Sequence, residues 1–158
     1  MQRRQPTRLY VFCDGGSYPS GTGHRLAAGC AAVARAESGA IKEWAWRALP
    51  PLTNNEAEYA GLILGMELAQ RLRARSVVLL LDSEVVVGQM EGRYAVNSAP
   101  LVKLHRDAQI LRRKLHDVRM LHIPREWNCV ADALARQARL NWDDLLRPGV
   151  QVVTPNPG

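Results

Sequence analysis

The sequence predicts an α/β protein: a five-stranded mixed sheet with helices on both faces, its first three strands antiparallel and the later ones parallel. Three observations predict it. Three strand-like stretches follow one another at the start, before any helical pattern, and make an antiparallel meander. Two further strand-like stretches are each reached through helical segments, and such crossovers set strands parallel with a right-handed connection. The run Val77-Val78-Leu79-Leu80-Leu81 is apolar throughout, the pattern of a central strand covered on both sides. The 158 residues suit one domain with one core.

Residues 8–14 are strand by their β-branched and aromatic content. The stretch Gly15-Gly16-Ser17-Tyr18-Pro19-Ser20-Gly21-Thr22-Gly23 then reads as a flexible loop. Strands at about 27–35 and 40–48 follow, joined by a hairpin turn at Ser38-Gly39, and Pro50-Pro51 closes the meander. Asn54 or Asn55 caps a helix to about Arg73, with Glu56 and Glu58 favourable in its first turn. Residues 76–81 are the fourth strand. A short helix at 83–91 precedes a longer one at about 99–117, capped from Asn97-Ser98. On it Leu104, Ala108, Leu111 and Leu115 form one stripe. Residues 118–123 are the last strand, stopped by Pro124, and Asn128 caps a final helix to about Leu140. The expected organisation is an N-terminal extension at 1–7, a folded domain at 8–140 and a tail at 141–158. The tail carries Pro148, Gly149, Pro155, Pro157 and Gly158 and is expected to be partly disordered.

The net charge is +6 and the sequence pI about 9.7. A basic surface favours a polyanion, and nucleic acid is the commonest, although charge alone fits an ordinary basic protein equally well. Cys13, Cys30 and Cys129 match no zinc spacing, and the first two read as small core residues. The start Met1-Gln2-Arg3-Arg4-Gln5-Pro6 has no apolar signal segment, and no apolar run approaches the ~20 residues of a membrane span. The expected location is the cytoplasm, away from membranes.

Four carboxylates carry the chemistry. Asp14 closes the first strand and Asp82 the fourth. Glu58 lies in the helix after Thr53-Asn54-Asn55, and Asp132 near the start of the last helix. If strands one and four are parallel neighbours, Asp14 and Asp82 emerge side by side, where ligands bind in open α/β sheets. Singly, each acid has a bland reading as a turn, cap or first-turn helix residue. Jointly, acids where strands leave a core point to a hard divalent cation. Two Mg2+ ions about 4 Å apart can activate a water, stabilise a leaving oxygen and neutralise a phosphodiester's charge. Asp14 is the expected bridging ligand. His24, His105, His116 and His122 lack ligand spacing. The run Arg71, Arg73 and Arg75 reads as a solvated helix end.

These residues resemble type 1 ribonuclease H, of the prokaryotic kind without the basic protrusion, over roughly 8–140. "FCDGGS" is similar to the family's first strand and turn. "TNNEAEYAGLILGMELA" resembles its first helix, "LLLDSEVVV" its fourth strand, and "HIPREWNCVADALAR" its last strand, loop and helix. The four motifs in order make a specific signal. The resemblance implies a ribonuclease H-like fold and domain, and Asp14, Glu58, Asp82 and Asp132 as catalytic and metal-holding acids. It implies two Mg2+, with Mn2+ as a substitute, and hydrolysis of the RNA strand of an RNA–DNA hybrid to 5′-phosphate and 3′-hydroxyl ends. No obligate protein partner is evident, and a monomer is expected. Gly15, Gly16, Ser17, Thr53, Asn54, Asn55 and Ser83 are the expected substrate contacts. Glycine lets a backbone approach the strand, Asn and Ser side chains can meet the 2′-hydroxyl, and Thr53 and Asn54 by resemblance hold a phosphate of the DNA strand.

Two departures from the family stand out. Where many members carry a loop histidine, this chain has Pro124-Arg125-Glu126-Trp127-Asn128; Arg125 is the candidate replacement and Glu126 the alternative. The extra basic helix of some members is absent, so grip is expected from Arg106, Arg112, Arg113 and Lys114. Two rival readings remain. One is a related exonuclease or integrase, against which the motif order speaks. The other is a binding module without catalysis, which would gain by losing acids near phosphates.

Overall fold

The computed structural model describes residues 8–19, 26–140 and 150–153. Their elements are β1 (Leu9–Pro19), β2 (Leu26–Ala36), β3 (Ile41–Leu49), α1 (Asn54–Arg71), β4 (Ser76–Leu81), α2 (Glu84–Met90), α3 (Ala99–Arg113) and β5 (Asp117–His122). A 3-10 turn (Arg125–Asn128), α4 (Cys129–Leu140) and β6 (Val150–Val153) complete them. The sheet order is β5-β4-β1-β2-β3-β6. β1, β2 and β3 form the antiparallel meander, and β4 and β5 join parallel on the other side of β1. That is the expected five-stranded mixed sheet. A sixth strand extends it: β6 pairs antiparallel with β3, Trp44 opposite Val153 and Arg47 opposite Val150. Its Val-Gln-Val-Val sequence suits a short edge strand, and the prolines and glycines around it mask that signal. The rest of the tail, and residues 1–7, lie outside the described residues.

Side chains alternate across the sheet into two apolar layers. Leu9, Val11 and Cys13 of β1 and Val77, Leu79 and Leu81 of β4 enter the main core, with Tyr59, Leu62 and Met66 of α1 and with residues of α2 and α3. Tyr10, Phe12, Val78 and Leu80 face the other way, with Ile123. β4 is therefore buried on both faces, as its unbroken apolar run implies. α4 crosses β1, β2 and β3. Its buried Ala131, Ala135 and Ala138 recur at helical spacing, and Ala31 and Val33 of β2 are fully buried.

Local structure departs from the sequence reading in ways that matter for the site. β1 does not stop at Asp14. It continues through Gly15-Gly16-Ser17 to Pro19, each residue paired with β2, Gly15 opposite Cys30 and Gly16 opposite Gly29. The glycine-rich stretch is strand here because a partner strand takes its hydrogen bonds; residues 20–25 lie outside the described set. Thr53, not Asn54 or Asn55, caps α1. Its hydroxyl accepts from the Glu56 N–H at 3.3 Å, and the Glu56 carboxylate accepts from the Thr53 N–H at 2.7 Å. This Thr-x-x-Glu capping box leaves both asparagines inside the helix and moves Glu58 to its second turn.

Glycines let α1 lie directly on β1. A Cβ on Gly15 would stand 1.9 Å from the Ala57 carbonyl oxygen, and one on Gly61 would stand 2.3 Å from that of Asp14. Both obstacles are backbone and cannot swing aside. Gly61→Ala should therefore cost about 1–3 kcal/mol of stability. Thermal or denaturant melts measure it, and an unchanged midpoint would contradict so close an approach.

Candidate active site

β1 and β4 run in register, with Cys13 beside Leu81. The next residues, Asp14 and Asp82, therefore leave adjacent parallel strands at the same level. Glu58 reaches the same point from α1, which the glycine contacts press against β1. Carboxylate oxygens of Asp14, Glu58 and Asp82 all lie within 4.8 Å of one another. Asp132 enters from α4. Together these acids line a cleft of about 350 Å³ with Gly15, Asn54, Ser83 and Arg125.

Asp132 is held at two points. Arg136, one turn further along α4, donates Nε–H to both carboxylate oxygens at 3.1 and 3.2 Å. The Arg125 guanidinium stands 3.9 Å away. The turn carrying Arg125 is tied down by Asn128, whose Nδ2–H donates to the Cys13 carbonyl at 2.9 Å while the residue is only 1% exposed. Asn128 is thus a tether between this turn and the residue before Asp14, where the sequence predicts a helix cap. An asparagine ahead of a helix carries no signal that separates these roles. Trp127, on the same turn, is 69% exposed.

The cluster is electrostatically strained. Burial, then the charges of Asp82 and Asp132, pushes the Asp14 carboxyl up to about 8. Burial, then Asp14 and Asp82, pushes Glu58 up to about 9. Asp82 is also raised, by burial above all, with Arg125 opposing. One Glu58 oxygen, Oε2, is buried without a hydrogen-bond partner. Oxygen donors converging on one point, too close to ionise together and with a lone pair uncommitted, fit a hard divalent cation.

The expected substrate contacts divide. Gly15, Asn54 and Ser83 line the cleft with the acids. The Ser17 N–H donates to Asn54 Oδ1 at 3.4 Å, which links that side chain to β1. Ser83 also caps α2, its hydroxyl accepting from the Val86 N–H at 3.3 Å. Gly16 is paired in the sheet, the Thr53 hydroxyl serves the capping box, and neither of these nor Asn55 lines the cleft. Only residues 91–98 separate α2 from α3, with no helix among them. Of the expected basic face, Arg112 pairs with Glu91 at 3.2 Å. Lys114 closes α3 at the opposite end of the sheet from the acids. No helix of the described residues is long and apolar enough to cross a membrane.

The family described as reverse transcriptase-like matches residues 15–138. The bifunctional protein Rv2228c of Mycobacterium tuberculosis is 36% identical over 135 residues, 83% of this chain and 35% of the relative. The chain thus spans about a third of that relative's length. Ribonuclease HI of Halobacterium salinarum is 33% identical over 135 residues, 83% of this chain and 64% of the relative. Among solved structures, the N-terminal RNase H domain of the M. tuberculosis protein superposes with a TM-score of 0.78 at 33% identity, covering 89% of this chain and 99% of that one. LC11-RNase H1, solved in complex with an RNA/DNA hybrid, gives 0.76 at 28% identity over 88% of this chain and 99% of that one.

Proposed function

The chain belongs to the type 1 ribonuclease H family, and on that premise we propose that it is an endoribonuclease that hydrolyses the RNA strand of RNA–DNA hybrids, leaving 5′-phosphate and 3′-hydroxyl ends. The observation that carries this reading is the convergence of Asp14, Glu58 and Asp82 within 4.8 Å, with Asp132 in the same cleft. In this reading the enzyme acts as a monomer in the cytoplasm.

When bound, two Mg2+ ions, or Mn2+ in their place, would supply an activated water and Lewis-acid stabilisation of the phosphodiester's developing charge. Asp14, Glu58, Asp82 and Asp132 would hold them. Asp14 is central, flanked by Asp82 on the neighbouring strand and Glu58 on the helix above. Arg136 and Arg125 orient Asp132 toward the cleft. Gly15, Asn54 and Ser83 line the same cleft as the acids, and the Asn54 amide and Ser83 hydroxyl are groups there that can bond a 2′-hydroxyl, which separates RNA from DNA. Recognition through phosphate and sugar carries no base information, so cleavage should be largely sequence-independent. End-group analysis of the products of Mg2+-dependent hybrid cleavage tests the reading; 5′-hydroxyl or cyclic-phosphate ends would contradict it.

Arg125 lines the cleft beside Asp132, its side chain 65% exposed. A guanidinium there can pair with a newly made 5′-phosphate but cannot take up a proton near neutrality. Arg125→Ala should slow multiple turnover more than single-turnover cleavage. Equal slowing of both would assign Arg125 to chemistry or binding instead.

The grip is expected to be electrostatic. Arg106 and Arg113 are exposed and seven residues apart, two turns along one side of α3. Replacing both with alanine should weaken hybrid affinity and lower the salt slope by roughly one unit per lost phosphate contact. An unchanged slope would place the grip elsewhere.

A further inference from the structure

α1 ends in a turn whose natural residue is glycine, and here it is arginine. After the cap at Leu72, the Arg73 N–H bonds the Gln70 carbonyl at 3.0 Å and the Ala74 N–H bonds that of Ala69 at 3.1 Å. This is the Schellman arrangement, which sets the residue after the cap left-handed. Arg73 has φ 53°, a conformation that carries a cost for any residue with a Cβ. Residues held at such a cost cluster at functional sites.

The side chain has company. Arg73, Arg75, Lys114 and His116 line a cavity of about 350 Å³ between the ends of α1 and α3, and Gln70 adds a neutral amide. No carboxylate of the described residues lines it. Neighbouring cations are compensated: Arg71 pairs with Glu43 at 3.0 Å and Arg112 with Glu91 at 3.2 Å. Arg73, Arg75 and Lys114 form no ion pair among the described residues. The acid next in sequence, Asp117, accepts from the Ser76 hydroxyl at 2.8 Å. Basic residues at helix C-termini commonly offset the helix dipole. That accounts for Lys114 but not for Arg75, which follows the turn, nor for arginine at a glycine position.

We propose that this cavity is a binding site for a phosphate group, separate from the acid cleft. It lies where β4 begins, and Asp82 follows where β4 ends. At about 3.3 Å per residue the two sites are roughly 20 Å apart, so one phosphate cannot serve both. Arg73 and Arg75 can each present a forked donor to phosphate oxygens, and Lys114 a point charge. The proposal does not depend on the hydrolytic reading.

The test is an NMR titration of the isotope-labelled full chain without divalent metal, so that the acid cleft repels anions. The probes are inorganic phosphate, a nucleoside monophosphate and a short DNA single strand. Saturable shifts are expected at the amides of Arg73, Arg75, Lys114 and His116, and none at Gly15 or Asp82. Arg73→Gly should weaken binding about tenfold or more. It should also leave the melting temperature equal or higher, because glycine suits that turn. Tighter, salt-sensitive binding of the DNA strand would assign the site to a polynucleotide backbone; equal binding of all three would assign it to a free phosphoryl group. Shifts that never saturate, unchanged affinity in Arg73→Gly, or a lower melting temperature for that variant would each overturn the proposal.

Discussion

Asp82→Asn should reduce metal-dependent cleavage by about a thousandfold or more while leaving hybrid binding measurable. Asparagine keeps the shape of the side chain and removes the charge. Asp82 is one of three groups whose oxygens lie within 4.8 Å, so its loss takes away one of the three charged oxygen donors that converge there. A metal contributes several kcal/mol to stabilising charge in such a reaction, and each 1.36 kcal/mol is tenfold in rate. Binding should survive because phosphate contacts elsewhere are untouched and one repulsive charge is gone. Cleavage within a few-fold of the unaltered protein would remove Asp82 from the site.

The metal-free protein should lose stability as pH rises from about 4 to about 8 or 9. Burial and mutual repulsion raise Asp14 from 3.8 to about 8 and Glu58 from 4.5 to about 9 in the folded state. Below the lower values both states carry the protons, and these groups exert no differential effect. Above them the unfolded chain ionises freely while the folded cluster still holds its protons, so folding is progressively disfavoured until the folded groups titrate too. A divalent cation binds the ionised form, so Mg2+ should raise the melting temperature more at pH 8 than at pH 5. Asp14→Asn should flatten the metal-free pH dependence. Melts at the two pH values, with Mg2+ or with chelator, measure this. A chelated protein as stable at pH 8 as at pH 5, with Asp14→Asn unchanged from it, would contradict the strained cluster.

Asp14 and Asp82 were legible because strand ends are marked by apolar runs, which place them without knowledge of contacts, whereas Glu58 and Asp132 stood out only through the four motifs taken in order. The order of elements predicts that β4 is parallel, whereas its place beside β1 and the register that brings Asp14 level with Asp82 come from the fold. Less legible was anything set by a distant partner. Gly15-Gly16-Ser17 reads as a loop locally and is strand because β2 lies opposite. Asn128 has the composition of a cap and acts as a tether because Cys13 offers its carbonyl across 115 positions of chain. The Thr53 and Glu56 capping box was readable and was obscured by two neighbouring asparagines, whose intrinsic capping preference exceeds that of threonine. Arg73 belonged to a basic run that looks uniform in sequence. Its conformation, and the pairing among the described residues of Arg71 but not Arg73 with an acid, exist only in the fold.

The proposed reaction of this acid cluster is hydrolysis of the RNA strand of a hybrid. The most direct measurement compares cleavage of one strand-labelled RNA–DNA hybrid with single-stranded RNA and duplex DNA of the same sequence, each with Mg2+ and with chelator. The expected result is internal cleavage of the RNA strand in the hybrid alone, and only with Mg2+. Cleavage that persists in chelator, or that is as fast on duplex DNA as on the hybrid, would contradict it.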